Sequence, residues 1–155
     1  MDNTNITPTN PAAEAIEVID NQQQFIAAFG ATAGGLYCSR KIETPRDKAE
    51  LYNAINAPEA QLADCINQRI TITDFIVQQV TITKETGEVV SAPRIVLIDT
   101  EGHTYSCVSV GIHTALQTIC FIFGMPAQWG EDGLPVIVRQ INRGSNRILT
   151  LDAAV

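Results

Sequence analysis

Between residues 69 and 152 apolar positions mostly alternate with polar ones in short runs, interrupted once by a stretch with helical spacing. Ile70, Ile72, Phe75, Val77, Val80 and Ile82 predict one long strand. Its alternation slips at Asp74-Phe75, as a β-bulge in a strongly bent strand would make it do. Residues 83–88 read as a turn, with Gly87 available for positive φ. Residues 93–99 (Pro-Arg-Ile-Val-Leu-Ile-Asp) form a near-continuous apolar run, which predicts a strand buried on both faces. A turn at 100–102 leads to a third strand over 103–110. Residues 111–123 follow as a helix on Ile112, Leu116, Ile119, Cys120 and Phe123, stopped by Gly124, with Phe121 and Phe123 expected in the core. After a loop at 125–133, strands at 134–141 and 147–151 flank the hairpin turn 142–146.

The resulting order is β-β-β-α-β-β. It predicts a mainly β protein with helices, built as a five-stranded OB-fold-like barrel, a frame whose strands and loops bind oligonucleotides or oligosaccharides. Upstream, residues 36–42 suggest a short extra strand. Thr44-Pro45 opens a helix over 46–56 with Ala49, Leu51, Tyr52 and Ile55 on its apolar face. Residues 59–67 read as a polar link of one helical turn at most. A short helix at 21–29, capped by Asn21 and stopped by Gly30, and a Gly-rich connector at 30–35 precede these. The expected organisation is therefore a flexible acidic and polar tail at 1–20, an extension with a short strand and helices at 21–68, and an OB-fold core at 69–155 packed with that extension as one domain.

Charge is low and unevenly spread. The chain has 155 residues, 45% hydrophobic and 17% charged, with a net charge of -7. Residues 1–35 hold Asp2, Glu14, Glu17 and Asp20 with no Lys or Arg, so the other 120 residues carry all ten basic side chains and a net charge of -3. Such a chain can build a core, while overall acidity argues mildly against phosphate binding by the chain as a whole. A locally basic groove stays compatible with it, because exposed charges are screened over about 8–10 Å. No apolar run approaches the roughly 20 residues of a membrane span. The polar segment 1–11 lacks the basic and apolar regions of a signal peptide, so the cytoplasm is the expected location. Cys38, Cys65, Cys107 and Cys120 form no C-x-x-C pair, which reads as four reduced thiols and no zinc site.

Enzymatic constellations are poor. His103 and Cys107 share a strand face but stand about 13 Å apart at roughly 3.3 Å per residue. No metal-binding histidine pair or nucleophile elbow occurs, and no cofactor is expected. The most suggestive polar stretch is the hairpin over residues 139–147. It holds Arg139, Arg143 and Arg147, no acid, and a Gly-Ser turn, and it lies in one of the two loops OB-folds use for oligonucleotides. Arg94 on the second strand adds a further cation. Stacking platforms for bases would be Tyr105 together with Tyr37 or Trp129, with Phe75 also considered. Arg40 and Lys41, near Arg46 and Lys48, form a second basic group interrupted by Glu43 and Asp47, and the first hairpin loop, 84–88, is net acidic.

The stretch 34–151 resembles the small single-stranded DNA-binding proteins of tailed bacteriophages. The phrases carrying the likeness are Gly-Leu-Tyr-Cys-Ser at 35–39, Leu-Tyr-Asn-Ala-Ile-Asn at 51–56, Pro-Arg-Ile-Val-Leu-Ile-Asp at 93–99, Tyr-Ser-Cys-Val-Ser at 105–109 and Ile-Phe-Gly at 122–124. These are mostly core and turn residues. The resemblance implies an OB-like protein that coats single-stranded DNA during phage replication in the bacterial host, without sequence preference or cofactor. Replication proteins and further copies of the chain are the other partners this reading admits. The alternative is an OB-type protein-interaction or virion structural module without nucleic-acid affinity.

Overall fold

The computed structural model describes residues 36–155. In chain order they form β1 (Leu36–Cys38), α1 (Pro45–Asn56), β2 (Ala60–Gln61), β3 (Arg69–Thr83), β4 (Val89–Asp99), β5 (Thr104–Val108), α2 (Val110–Phe123), β6 (Leu134–Arg143) and β7 (Asn146–Ala153), with 3-10 turns at Leu62–Cys65 and Pro126–Gln128. The expected tail, the helix at 21–29 and the connector at 30–35 lie outside the described residues.

All strands belong to one strongly curled, open sheet in the order β2-β5-β4-β3-β6-β7, with β1 added beside β3. The bend comes from β3, whose fifteen residues serve two partners along one edge. Arg69 to Ile72 pair with β6, and Ile76 to Gln78 pair with β1. A register shift between Ile72 and Asp74 marks the bulge that the phase slip predicts. Before it Ile70 and Ile72 face the core; after it Phe75 and Val77 do, while Ile76 turns to the opposite side. The half-barrel is compatible with an OB-like fold. Where the sequence predicts five strands in a barrel, the curl stays open between β5 and β7, for no ladder joins those two among the described residues. The first turn of α2 stands in the gap instead. A Cβ on Gly111 would lie 2.1 Å from the Leu149 carbonyl oxygen, so the side chain is absent where helix and strand edge meet.

Two apolar layers follow from the alternation. On the inner face Phe75, Val77, Ile95, Leu97, Val136 and Val138 pack against Ile112, Leu116 and Ile119 of α2. On the outer face α1 lays Ala54, flanked by Leu51 and Ile55, over Ile76, Val96 and Ile98. Both faces of β4 are thus covered, as its continuous apolar run requires. The start of α1 is set by Thr44 and Asp47. The Thr44 hydroxyl accepts from the Asp47 N–H at 3.0 Å, and the Asp47 carboxylate accepts from the N–H groups of Thr44 and Glu43. These bonds hold the Asp47 carboxyl below the usual carboxylate range. In α2 the apolar stretch outruns its buried stripe. Phe121 and Ile122 are 80% and 70% exposed, which corrects the core placement expected for Phe121, while Phe123 packs against the core in part. At 100° per residue, position 121 falls opposite the stripe of Ile112, Leu116 and Ile119, and position 122 on its flank.

Candidate nucleic-acid interface

The candidate stacking platforms Tyr37, Phe75, Tyr105 and Trp129 are turned toward the core, whereas Tyr52 and Phe121 are exposed. Phe75 is fully buried, with Tyr37 at a ring-centroid distance of 6.0 Å and Trp129 at 6.4 Å. The Trp129 indole N–H donates to the Gly124 carbonyl at 2.8 Å. Tyr37 is half-buried beside Val77, and burial raises its hydroxyl pKa well beyond the usual tyrosine range. Tyr105 pairs with Leu97 and shares its inward face; its hydroxyl donates to Asp99 Oδ2 at 2.8 Å. Burial, and then the bond to Asp99, push that pKa up to about 12. Each candidate platform therefore has one ring face or its polar tip engaged within the protein.

The basic residues divide into engaged and unengaged groups. Arg94 lies on the outer face beneath α1 and donates to the Ile55 carbonyl at 2.8 Å, closing one of the last four carbonyls of that helix. Arg40 bridges Asp74 at 3.3 Å and Glu50 at 3.7 Å, and Lys41 pairs with Glu43. Arg139 is tied to Asp152 at 2.9 Å and to the Asn67 side-chain oxygen at 2.8 Å. By contrast Lys48, Arg69, Arg143 and Arg147 have no ion pair with the described residues. Arg143 and Arg147 sit on either side of the β6–β7 turn, where Gly144 takes φ +63°. Strand alternation places Arg69, Arg139 and Arg143 on one outer face, since Arg69 pairs with Ile137 and positions 137, 139 and 143 share parity. Arg147 falls on the other face of the hairpin.

Both hairpin arginines line a groove of about 630 Å³ along the free edge of β7, walled opposite by the end of β5 and residues 110–119 of α2. On the outer face of β4–β5, a surface OB-folds use for ligands, α1 covers β4, and on β5 Thr104 and Ser106 are buried, Thr104 Oγ1 accepting from the Glu59 N–H at 2.9 Å, while Val108 at the strand end is half exposed. At the opposite end of β3 the β3–β4 turn carries Glu85, and a Lys84–Glu88 pair at 3.7 Å.

The chemistry elsewhere is quiet. All four cysteines are free, and burial raises the pKa of each, to about 12 for Cys107 and Cys120, so they remain thiols. Among the described residues no group of three or more His, Cys, Asp or Glu side chains could hold a metal ion, and no helix is long and apolar enough to cross a membrane. What the surface does offer is cationic and centred on β6–β7. A family profile described as phage single-stranded DNA-binding protein matches residues 31–154, four-fifths of the chain.

The chain belongs to that family. Its members are non-enzymatic single-stranded DNA-binding proteins, which agrees with the likeness drawn from the sequence. Neither a curated protein nor a solved structure matches the chain.

Within this family member the structure brings Arg139, Arg143 and Arg147 into one hairpin, as their spacing requires, but it sets Arg94 apart beneath α1 and Tyr37, Tyr105 and Trp129 against the core. Arg40 and Lys41 lie beside β3 and α1 in ion pairs. Arg69 is the unengaged cation that reading the sequence passed over. Its signal was available, because Arg69 precedes the inward pair Ile70 and Ile72 and must face outward with Thr71. Only the β3–β6 register, which joins residues almost seventy apart in sequence, could place it in line with Arg139 and Arg143.

Proposed function

We propose that the protein coats single-stranded DNA during phage DNA replication in the host cytoplasm, without sequence preference and without a cofactor, and that the β6–β7 hairpin is its phosphate-binding element. The observation that carries this reading is the pair Arg143 and Arg147, which have no carboxylate partner among the described residues in a chain whose other arginines are mostly engaged. Guanidinium groups bind phosphate by paired N–H donors. From Arg143 toward Arg69 the outer face of β6 offers further cationic positions, with Arg139 partly neutralised by Asp152. Replication proteins are the partners this role would bring to the coated strand.

Fluorescence anisotropy of a labelled oligo-dT of about 20 nucleotides tests the proposal. Binding at low salt is expected, with similar affinity for mixed-sequence single strands and weaker affinity for duplex. A folded sample that binds no single strand at low salt overturns it.

A further inference from the structure

We infer that the groove between the free edge of β7 and residues 110–119 of α2 receives a base of the bound strand, held by aliphatic walls and rotatable hydroxyls and not on an aromatic ring. This rests on the single-stranded DNA reading above and adds to it where the base goes. Four observations converge on it. The groove, at about 630 Å³, falls within the roughly 300–1,000 Å³ typical of small-ligand sites. Its lining includes Arg143 and Arg147, so a strand whose phosphates sit on the hairpin has a base beside the groove. Its walls are made of side chains suited to an unspecified base: Val108, Ile141 and Ile148 offer flat aliphatic contact, Thr114 and Thr150 offer hydroxyls, and Thr118, whose hydroxyl donates to the Thr114 carbonyl at 3.2 Å, offers an acceptor. A hydroxyl donates or accepts according to its neighbour, so such a site accepts purines and pyrimidines alike. Finally, the other candidate surfaces are taken or unsuited: α1 covers the outer face of β4, the β3–β4 turn is net acidic, and Tyr37, Tyr105 and Trp129 pack on the core.

The groove exists because the barrel does not close. In a sheet where β5 paired with β7, the edge of β7 would be occupied by a ladder. Here the first turn of α2 fills part of that space, its start capped by Ser109.

The test uses the full chain and two readouts. In the first, oligo-dT substituted with 4-thiothymidine is photocrosslinked to the protein and the adducts are mapped by mass spectrometry. Adducts are expected on peptides spanning residues 108–119 and 141–151. In the second, Thr118→Glu is compared with Thr81→Glu, which adds the same charge at an exposed position on β3 outside the groove. With melting temperatures unchanged, Thr118→Glu should weaken oligo-dT binding about tenfold or more, and Thr81→Glu about twofold or less. If the wild-type protein binds oligo-dT but the adducts fall outside the seam, or the two variants weaken binding equally, the groove is not the base site and the DNA-binding reading stands. If the wild-type protein binds no single strand, both fall together.

Discussion

The guanidinium of Arg94 donates a hydrogen bond to the main-chain carbonyl of Ile55 at 2.8 Å, fastening the last turn of α1 to the outer face of β4. Ala54, buried at 7% exposure, lies next to that bond and rests on Ile76, Val96 and Ile98. A cation on an OB-like strand is thereby spent on joining two parts of the fold. Replacing it with alanine is expected to destabilise the protein by about 1–3 kcal/mol, since a charged donor is lost and a carbonyl is left unpaired. Urea denaturation measures the loss. Oligo-dT affinity measured below the transition should change little, and a large affinity loss at unchanged stability would return Arg94 to the binding surface.

Trp129 leads to a second expectation. Its ring packs 6.4 Å from that of Phe75 and its N–H is bonded to the Gly124 carbonyl, so it reports on the core. Saturating oligo-dT should leave the tryptophan emission spectrum unchanged while the anisotropy of a labelled oligonucleotide rises. Strong quenching of the emission would mean that a base reaches Trp129.

Gly111 tests the join between α2 and β7. A methyl group there would sit 2.1 Å from the Leu149 oxygen and 2.5 Å from the Ile148 side chain, and the first of these is main chain that cannot rotate away. Gly111→Ala should cost about 1–3 kcal/mol through overpacking, read from thermal or urea melts, and it should disturb the groove on the same edge. Unchanged stability would show that helix and strand stand farther apart than described.

His103 carries the pH dependence. Its Nδ1 lies 2.7 Å from Glu59 Oε1, and that hydrogen bond, then the charges of Glu59 and Asp99, raise its pKa above the ordinary value. A proton held more tightly in the folded state stabilises the fold fully below the unfolded pKa of about 6.5. That contribution is lost as pH rises through the higher folded value. NMR titration of the His103 ring should therefore give a midpoint above about 6.5. The melting-temperature difference between wild type and His103→Asn should shrink as pH increases past it. A midpoint at or below the ordinary value contradicts the pairing.

Much of this was legible before any coordinates. The β-β-β-α-β-β order, the Thr44 cap, the bulge near Asp74 and the arginine hairpin all follow from local signals: period-two alternation, its slip, a Thr-Pro start and a Gly-Ser turn. The relations that decide the site are not local. Nothing near Arg94 in sequence shows that residue 55 will claim it, and nothing near Trp129 shows that its ring will meet Phe75. The parallel pairing of Ala60 and Gln61 with β5 was equally hidden, because two residues carry no periodicity. An apolar helix likewise conceals which of its faces is buried, and Phe121 fell on the other one.

The most direct test of the account is the salt dependence of oligo-dT affinity for the wild-type chain and for Arg143→Ala/Arg147→Ala. Each phosphate contact on a single strand contributes a slope of about -0.7 to log K against log salt concentration. The double variant should therefore bind more weakly at low salt and lose about 1.4 from the magnitude of that slope, with its melting temperature unchanged. A double variant whose affinity and slope match those of the wild type would contradict the assignment of the hairpin as the phosphate-binding element.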